Sequence, residues 1–404
     1  MDLQAGNRTG AAAANDAPPA APATTRPRNR RELIVDAAGR EFNERGYHAT
    51  SMEEIARRVG IRGPAIYRHF PNKYALFAEC ANFMADGLLD CLDRVPDDAA
   101  LEQLLRAVTG ETIAHRASGG VYRWEARYLE AEDRRALRAK FARLVDRFAA
   151  AVPSGPGLLP ADLRSAAALG AIGSITMHRT RISGHRAEDL LVTAATHVAV
   201  MPVPADSPAP PRLAPAPATP TKRRAQILAA AIPLFARDGF ANVTLGMIAE
   251  DVGIATSAIY RHFPNKVDIL AAACTQAGGL LSRAVDRALT DPAGPHEAVS
   301  GLATAYVAYS FEHRALTSVA EAEIVGLPPA VQRPLIVAQR EHIAIWEQQL
   351  RAARPELDHQ QAVVLVHAGF GVVVEAGRRL HWQDTDENRR AVAALMVSAL
   401  GLAG

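Results

Sequence analysis

The amino-acid sequence predicts an all-α fold built from two tandem units, and three observations support this prediction. The nine residues AIYRHFPNK occur twice without change, at 65–73 and 258–266. Apolar residues recur three and four positions apart, as in Leu76, Cys80 and Phe83, which is the period of one helix face. No stretch keeps the strict apolar-polar alternation beside hairpin turns that is typical of strands.

The repeat extends well beyond these nine residues. An offset of 193 positions also pairs Phe42 with Phe235. Further along, the triplet His115-Arg116-Ala117 recurs as His313-Arg314-Ala315 at an offset of 198. We therefore interpret both the short repeated blocks and the longer helical parts behind them as duplicated.

Shifts in composition divide the chain into six segments. The N-terminus is rich in Ala and Pro and is expected to be a disordered tail. A second Pro/Ala-rich stretch, MPVPADSPAPPRLAPAPATPT, cannot continue a helix and is expected to be a semi-extended linker. The predicted segments are a tail at 1–28, a helix-turn-helix domain at 29–75, a helical domain at 76–200, a linker at 201–221, a second helix-turn-helix domain at 222–268 and a second helical domain at 269–404.

Composition limits the class of protein. The 404 residues are 49% hydrophobic and 22% charged, with a formal net charge of +2, so any basic surface must be local. Cys80, Cys91 and Cys274 form no pair with zinc spacing and suit a reducing cytoplasm. The most apolar run, 362–374, is 13 residues long and short of the ~20 that span a bilayer, so no membrane role is expected.

The first repeated block begins with two predicted helices. The first covers 31–44 and stops at Gly46, a residue type that favours the left-handed conformation after a helix. The second begins at Ser51, which forms an S-x-x-E capping box with Glu54. Gly60 then permits a tight turn.

Two more predicted helices follow that turn. The third covers 62–70 and ends before Pro71, and Asn72 caps a long fourth helix. Two short helices joined at a glycine, with Tyr, Arg and His on the second, form a helix-turn-helix layout whose second helix fits a DNA major groove. The alternative is that Tyr67 and Phe70 are only core aromatics. The Arg-His pair between them argues against it, because an apolar core rarely buries such side chains.

The two blocks resemble a known family. The segments GIRGPAIYRHFPNKYAL at 60–76 and GIATSAIYRHFPNKVDI at 253–269 are similar to the recognition-helix signature of tetracycline-repressor (TetR) regulators. The resemblance covers 30–77 and 223–270. It implies that each unit is an N-terminal helix-turn-helix DNA-binding domain followed by a helical regulatory and dimerisation domain. The implied partners are double-stranded DNA and an unknown small-molecule effector, and repression is the expected mode.

The resemblance assigns DNA-contacting positions in both units. It places the tyrosine, histidine and lysine of each signature against the DNA backbone and the start of each third helix against the bases. The candidates are Ser51, Arg62, Gly63, Pro64, Tyr67, Arg68, His69 and Lys73 in the first unit, and Thr244, Ala255, Thr256, Ser257, Tyr260, Arg261, His262 and Lys266 in the second.

Two further features of the blocks bear on DNA contact. Basic residues before each first helix are expected to attract phosphate. These residues are Arg28, Arg30, Arg31, Lys222, Arg223 and Arg224. Glu53 and Gly246 stand where some family members read a base, and neither favours such a contact. Arg62 can pair with a guanine edge whereas Thr256 and Ser257 offer hydroxyls, so the two units are expected to prefer different half-sites.

Aromatic residues and histidines in the two larger helical parts are candidates for binding the effector. Each interrupts an Ala/Leu-rich helical pattern, and core packing is the alternative for each of them. The candidates are Tyr122, Trp124, Tyr306, Tyr309, Trp346, His367 and Phe370.

Glycine mixed with apolar residues at 170–175 and 368–373 predicts close helix packing at a dimer-type interface, because small residues let helices approach. The sequence leaves open which copies pair. The two units of one chain can dock as a pseudo-dimer, or two chains can pair unit by unit as a homodimer.

An enzyme and a sensor are the competing functions. The sequence has no G-x-S-x-G, no H-E-x-x-H, no phosphate loop and no Cys/His metal spacing, so we expect no enzyme, no cofactor and no metal. A helical ligand sensor or co-regulator with weakened DNA heads is the second alternative.

Overall fold

A computed structural model describes residues 30–96, 98–121, 128–203, 209–213, 222–324 and 327–402. Across these ranges the structure contains α-helices and short 3₁₀ turns but no β-strand, with one isolated bridge between Leu158 and Pro202. The predicted all-α fold is confirmed. The tail at 1–28 and most of the linker lie outside the described residues.

The helices fall into two series that follow the repeat. In the first unit they are α1 Arg30–Arg45, α2 Met52–Arg58, α3 Gly63–Ile66, α4 Lys73–Asp93, α5 Leu101–Ala114, α6 Ala131–Ala151, α7 Ala161–Gly173 and α8 Gly184–Ala199. In the second they are α9 Arg223–Asp238, α10 Leu245–Val252, α11 Thr256–Ile259, α12 Lys266–Ala288, α13 Pro295–Glu312, α14 Arg314–Glu323, α15 Pro329–Ala353, α16 His359–Arg379 and α17 Asp386–Ala399.

The helix boundaries in the first block follow its capping residues. Ser51 and Glu54 form the predicted capping box at α2, and the Asn72 side chain accepts the amide of Ala75 at 2.8 Å to start α4. Gly60 has φ of +70°, as its tight turn requires. The third helix is shorter than the predicted 62–70 and gives way to a turn after Ile66, because Pro71 disfavours helical geometry in the residue before it.

Each block closes around its own apolar core. We call α1–α3 with the start of α4 the first head, and α9–α11 with the start of α12 the second head. Equivalent side chains are fully buried in both, and each such side chain stabilises its head by about 1.5–3 kcal/mol. They are Ile34, Phe42, Ile55, Ile66 and Phe70 in the first head, and Ile227, Phe235, Ile248, Ile259 and Phe263 in the second.

The two units pair within the chain through α7 and α16. Gly170 and Gly371 face each other at the crossing, where a Cβ on either residue would lie 2.9 Å from the carbonyl carbon of the other. Helices α8 and α17 pack beside them, and one apolar core continues across both units. The prediction of close glycine packing is confirmed, and the two helices that meet here belong to the two units of one chain.

Ion pairs and a linker segment border this interface. Arg379 donates to Asp162 at 2.6 Å, and Arg186 donates to Asp358 at 2.6 Å. In the described stretch of the linker, Leu213 is buried against α12 and α13, and its amide donates to Glu312 at 2.9 Å. The linker is therefore anchored at this point instead of spanning freely.

Helix α16 is long and apolar enough to cross a bilayer by length and composition, in contrast to the prediction from the 362–374 run. Neighbouring helices bury 67% of its apolar window. This burial is what the core helix of a helical bundle requires.

We predict that Gly371→Ala lowers the free energy of unfolding by roughly 1–3 kcal/mol, because the added methyl group meets backbone that cannot rotate away. Denaturant titration followed by circular dichroism measures this change. Gly110→Ala on α5 is the matched control, since its Cβ meets nothing within 4 Å, and it should be neutral or stabilising by up to ~1 kcal/mol. Equal stability of the two variants would contradict the proposed close contact.

Candidate nucleic-acid interface

The third helix of each head places one aromatic residue on the surface. Tyr67 is 47% exposed and Tyr260 is 56% exposed, while Ile66 and Phe70 beside Tyr67 are buried. The alternative of a core aromatic is therefore wrong for Tyr67 and right for Phe70. The exposed phenols provide one polar and one apolar contact surface on each head.

Other predicted contact residues lie on the same face. Arg62, Pro64 and Arg68 are exposed on the first head, and His69 is half-buried. Gly63 is half-buried, and a Cβ there would lie 3.8 Å from Glu53 Cγ. The equivalent second-head residues, Ala255, Thr256, Ser257 and Arg261, are exposed, and His262 is half-buried.

The capping hydroxyls of α2 and α10 are engaged differently. Ser51 Oγ accepts the Glu54 amide and also donates to the Glu54 carboxylate at 2.9 Å. Arg45 donates to that carboxylate at 2.6 Å, and these contacts lower the Glu54 pKa to about 2. Thr244 is exposed and accepts only the Met247 amide, so its hydroxyl hydrogen has no carboxylate acceptor at the position that Glu54 takes in the first head.

The signature lysines point into the heads. Lys73 Nζ donates to the carbonyl oxygens of Tyr47 at 2.9 Å and Thr50 at 3.1 Å, and it lies 4.4 Å above the Tyr47 ring. Partial burial lowers the Lys73 pKa. The sequence analysis placed this ammonium against the DNA backbone, whereas the structure engages it with the loop between α1 and α2.

Lys266 repeats this contact in the second head. Its Nζ donates to the carbonyls of Phe240 and Val243, each at 2.7 Å, and lies 4.4 Å from the Phe240 ring. Partial burial lowers its pKa as well. Both lysines therefore tie the start of a long helix to the loop before the helix-turn-helix.

Two of the basic residues expected to attract phosphate also pack against buried aromatic rings of the heads. The Arg31 guanidinium lies 4.3 Å from the Phe70 ring centre and donates to the His69 carbonyl at 2.8 Å. The guanidinium of Arg224 lies 4.2 Å from the Phe263 ring centre. Arg28 lies outside the described residues.

The two heads differ in charge at the end of their second helices. Helix α2 ends with Arg57 and Arg58, whereas α10 carries Glu250 and Asp251 there. Arg58 pairs with Glu41, so part of the first head's excess charge is compensated. Helix α2 has no net charge, because Glu53 and Glu54 balance its two arginines, whereas α10 carries two negative charges.

A cavity of about 700 Å³ lies behind the first head, among the helical domains. We call it the imidazole cavity, because His178, His342 and His367 line it. Its wall also includes Phe42 of α1 and Arg116, both from the first unit. It therefore joins residues of both units.

Four of the effector-binding candidates line this cavity: Tyr306, Tyr309, His367 and Phe370. Trp346 does not, because it is fully buried behind the wall against Tyr306 and Phe370. Tyr122 and Trp124 lie outside the described residues. His178 and His342 were missed, since no local pattern shows that two histidines of different units meet.

Burial keeps these imidazoles neutral. His178 and His367 stack across the unit interface with ring centres 4.1 Å apart, and His342 stacks near Phe370. Burial, with His367 and Arg116 nearby, lowers the His178 pKa to about 2. Burial lowers the pKa of His342 and of His367 to about 4, with Arg116 adding to the effect on His367.

Two short helices joined by a glycine turn, with an exposed tyrosine and arginine just after the second, define a helix-turn-helix protein, here with two heads. The profile described as "Bacterial regulatory proteins, tetR family" matches residues 34–80 and 227–273. The chain thus carries two tetR-family segments in tandem.

Curated relatives match part of the chain. "HTH-type transcriptional activator FasR" of Mycolicibacterium smegmatis is 34% identical over 89 residues, which cover 22% of this chain and 36% of that protein. "HTH-type transcriptional repressor KstR2" of Rhodococcus jostii is 29% identical over 122 residues, covering 29% and 60%. The matches thus span about a third to three-fifths of these relatives. Both names describe regulators, in agreement with the expectation of no enzyme.

A solved structure shows a partial likeness to the chain. A regulatory protein of the tetR family from Rhodococcus RHA1 aligns with a TM-score of 0.40 and 24% sequence identity. The alignment covers 46% of this chain and 98% of that one.

We predict that Lys73→Met lowers the free energy of unfolding by about 1–3 kcal/mol, because two carbonyls lose a charged donor. Thermal and denaturant unfolding measure the loss. Arg68→Ala, at an exposed position in the turn after α3, is the control and should stay within about 0.5 kcal/mol of the original protein. If Lys73→Met is as stable as the original protein, the Lys73 ammonium does not stabilise the head, and the prediction is wrong.

We predict that acid destabilises the protein through the imidazole cavity. The folded-state pKa values of His342 and His367 lie below the 6.5 of an exposed imidazole, so their stabilising effect is complete above pH 6.5 and is lost as pH falls toward 4. His342→Phe should reduce the dependence of unfolding free energy on pH over this range by about 1.4 kcal/mol per pH unit. Denaturant titrations at pH 7.5, about 6 and about 5 measure it. An unchanged slope would show that His342 does not titrate on unfolding.

Proposed function

We propose that this chain is a sequence-specific DNA-binding transcription regulator that places two unlike heads on one operator in the cytoplasm. The observation that supports this most directly is the pair of matched heads, which α7 and α16 hold together. Each head carries an exposed tyrosine and arginine just after its third helix. Because the two units pair within one chain, both heads bind the same operator in this proposal.

Each third helix enters a major groove in this proposal. Tyr67 and Tyr260 contact the backbone and the adjacent base edge, and Arg68 and Arg261 add charge against phosphate. The free hydroxyl hydrogen of Thr244 donates to phosphate more readily than that of Ser51, whose hydroxyl is taken by Glu54. Two heads set on successive grooves lie roughly 34–36 Å apart.

The half-sites differ in this proposal. Arg62 at the start of α3 pairs with a guanine edge, whereas Thr256 and Ser257 at the start of α11 offer hydroxyls to either purine or pyrimidine. The difference in charge between α2 and α10 adds to this asymmetry. The first head then supplies more of the affinity and more of the sequence discrimination.

A small-molecule effector controls binding in this proposal, and the regulator acts as a repressor. The imidazole cavity supports it, because one wall is Phe42 of the first head's own core and another is Tyr306 and Phe370 of the second unit. A ligand there touches α1 directly. It releases DNA only if it prefers an arrangement of the heads that DNA does not.

One observation favours a weaker variant of this function. Glu250 and Asp251 place two negative charges on the second head near its DNA-facing helix, which opposes phosphate. A chain in which only the first head holds DNA strongly would then act as a sensor with one working head.

We predict that the Tyr67→Ala, Tyr260→Ala double variant loses at least a hundredfold in operator affinity, about tenfold for each tyrosine. Genome fragments selected by the original protein at about 0.15 M salt supply the operator, and fluorescence anisotropy measures affinity. Val337→Ala, an equally exposed apolar change on α15, is the control and should bind as the original does.

Footprints of the selected fragments test the arrangement of the heads. Two dissimilar protected half-sites one helical turn apart are expected. A perfect palindrome would contradict the unlike heads. A single protected half-site lost with Tyr67→Ala alone would show that only the first head works. No enrichment over random DNA would leave a ligand sensor without DNA function.

A further inference from the structure

A second cavity, of about 890 Å³, lies between the first unit's helical domain and the second unit. Its floor is apolar and comes from α4, α5, α6 and α7, including Met84, Val108, Phe141 and Ile172. Its other wall comes from α13, α14 and α16. The repeat makes it the counterpart of the imidazole cavity, with the two units exchanged.

Guanidinium groups are the most numerous charged groups in the lining of this second cavity, which also contains Glu321, Glu375 and His381. Arg134 and Arg138 reach it from α6, Arg314 from α14 and Arg378 from α16. We call it the arginine cavity. Within the described ranges of the chain, the side chains of Arg134, Arg138 and Arg314 form no hydrogen bond and no ion pair. The Arg134 side chain is half-buried, those of Arg138 and Arg314 are exposed, and Arg314 lies 5.8 Å from the Trp382 ring centre.

The positive charges in this cavity destabilise one another. Burial lowers the Arg314 pKa, and the nearby Arg378 lowers it further. The carboxylates in the same lining are already engaged, because Glu375 accepts from Arg378 at 2.9 Å and Glu321 has interactions of its own. Guanidinium groups from both units therefore outnumber the carboxylates in the lining of this cavity.

The apolar floor and the arginines of this cavity together indicate the chemical class of its ligand. Guanidinium groups bind phosphate through paired hydrogen bonds, and several of them together favour a multiply charged anion over a neutral or singly charged group. A hydrocarbon chain that covers the apolar floor of α4 to α7 is stabilised there, because apolar surface is removed from water. A cavity of this size accommodates both parts at once.

We propose that the arginine cavity binds an amphipathic organic phosphate, with its phosphate on Arg134, Arg138 and Arg314 and its apolar chain on the floor of the first unit. This site is separate from the effector role proposed for the imidazole cavity and does not require DNA binding. The two cavities adjoin, since Tyr306, Thr317 and Glu321 line both. The chain then holds two chemically different ligand sites, one richer in imidazoles and one richer in guanidinium groups.

Octyl phosphate is the probe, used below the concentration at which it forms micelles, with isothermal titration calorimetry on the full chain. Octanol, octyltrimethylammonium and inorganic phosphate are compared with it. Octyl phosphate should bind at least about tenfold more tightly than each of these three, because only it satisfies both the floor and the arginines. Equal or tighter binding of octyltrimethylammonium, or of octanol, would overturn the proposal.

A matched pair of variants locates the site. R134Q/R138Q removes two cavity arginines and should weaken octyl phosphate binding by about thirtyfold or more. R135Q/R143Q removes the same charge from exposed positions of α6 outside the cavity and should change binding less than about twofold. Equal losses in both variants would assign binding to general charge, and no loss in R134Q/R138Q would place the ligand elsewhere.

Two further measurements keep the outcomes distinct. The melting temperature of R134Q/R138Q should match that of R135Q/R143Q, and Arg314→Gln provides an independent variant on another helix that should also weaken binding by about tenfold. Operator binding measured on the same variants without ligand should persist. If the original protein binds its operator but not octyl phosphate, the proposal for the arginine cavity is overturned and the DNA proposal stands. If it binds octyl phosphate but no operator, the DNA proposal is overturned and the proposal for the arginine cavity stands.

Discussion

The contact between the Gly170 and Gly371 backbones is the constraint on which the rest of the structure depends. Two helices from different units approach so closely there that neither position has room for a Cβ. This approach lets one apolar core run through both units, and it fixes where each head stands relative to the other. It also explains why both cavities have walls from both units: a cavity behind either head must open toward the facing helices of the other. A change at this crossing therefore acts on the heads and the cavities together.

Local features of the sequence predicted most of the fold. The Ser51–Glu54 capping box, Asn72 and the glycine turn act within a few residues, and an exact repeat doubles every such signal. The glycines of α7 and α16 were interpretable because close helix approach needs small residues. The candidate site was predicted less completely. The buried direction of Lys73 and Lys266, and the meeting of His178 with His367, depend on which loop or unit packs opposite, and no spacing along the chain encodes that.

The duplication has kept the interior of the heads and changed their surface. The lysine contact to the preceding loop, the arginine over the buried phenylalanine and the core side chains recur in both heads. The exposed Tyr67 and Arg68 recur as Tyr260 and Arg261, but other outward-facing positions differ, as at Arg62 and Ala255 or at Arg58 and Asp251. The same division holds behind the heads, where one cavity presents imidazoles and phenols and its counterpart presents guanidinium groups. Packing restrains the shared residues, because each touches several neighbours, while the surface and cavity residues are free to diverge.

The joining of both heads in one polypeptide gives the molecule a polarity that two identical subunits lack. In a symmetric pair, every substitution appears twice, and turning the assembly around leaves it unchanged. Here a substitution in α3 alters one end only, and the two orientations on a DNA duplex are different complexes. On the operator proposed above, such a molecule would mark a direction along the double helix. Its cavities and surfaces would then face upstream or downstream according to the orientation of the two half-sites.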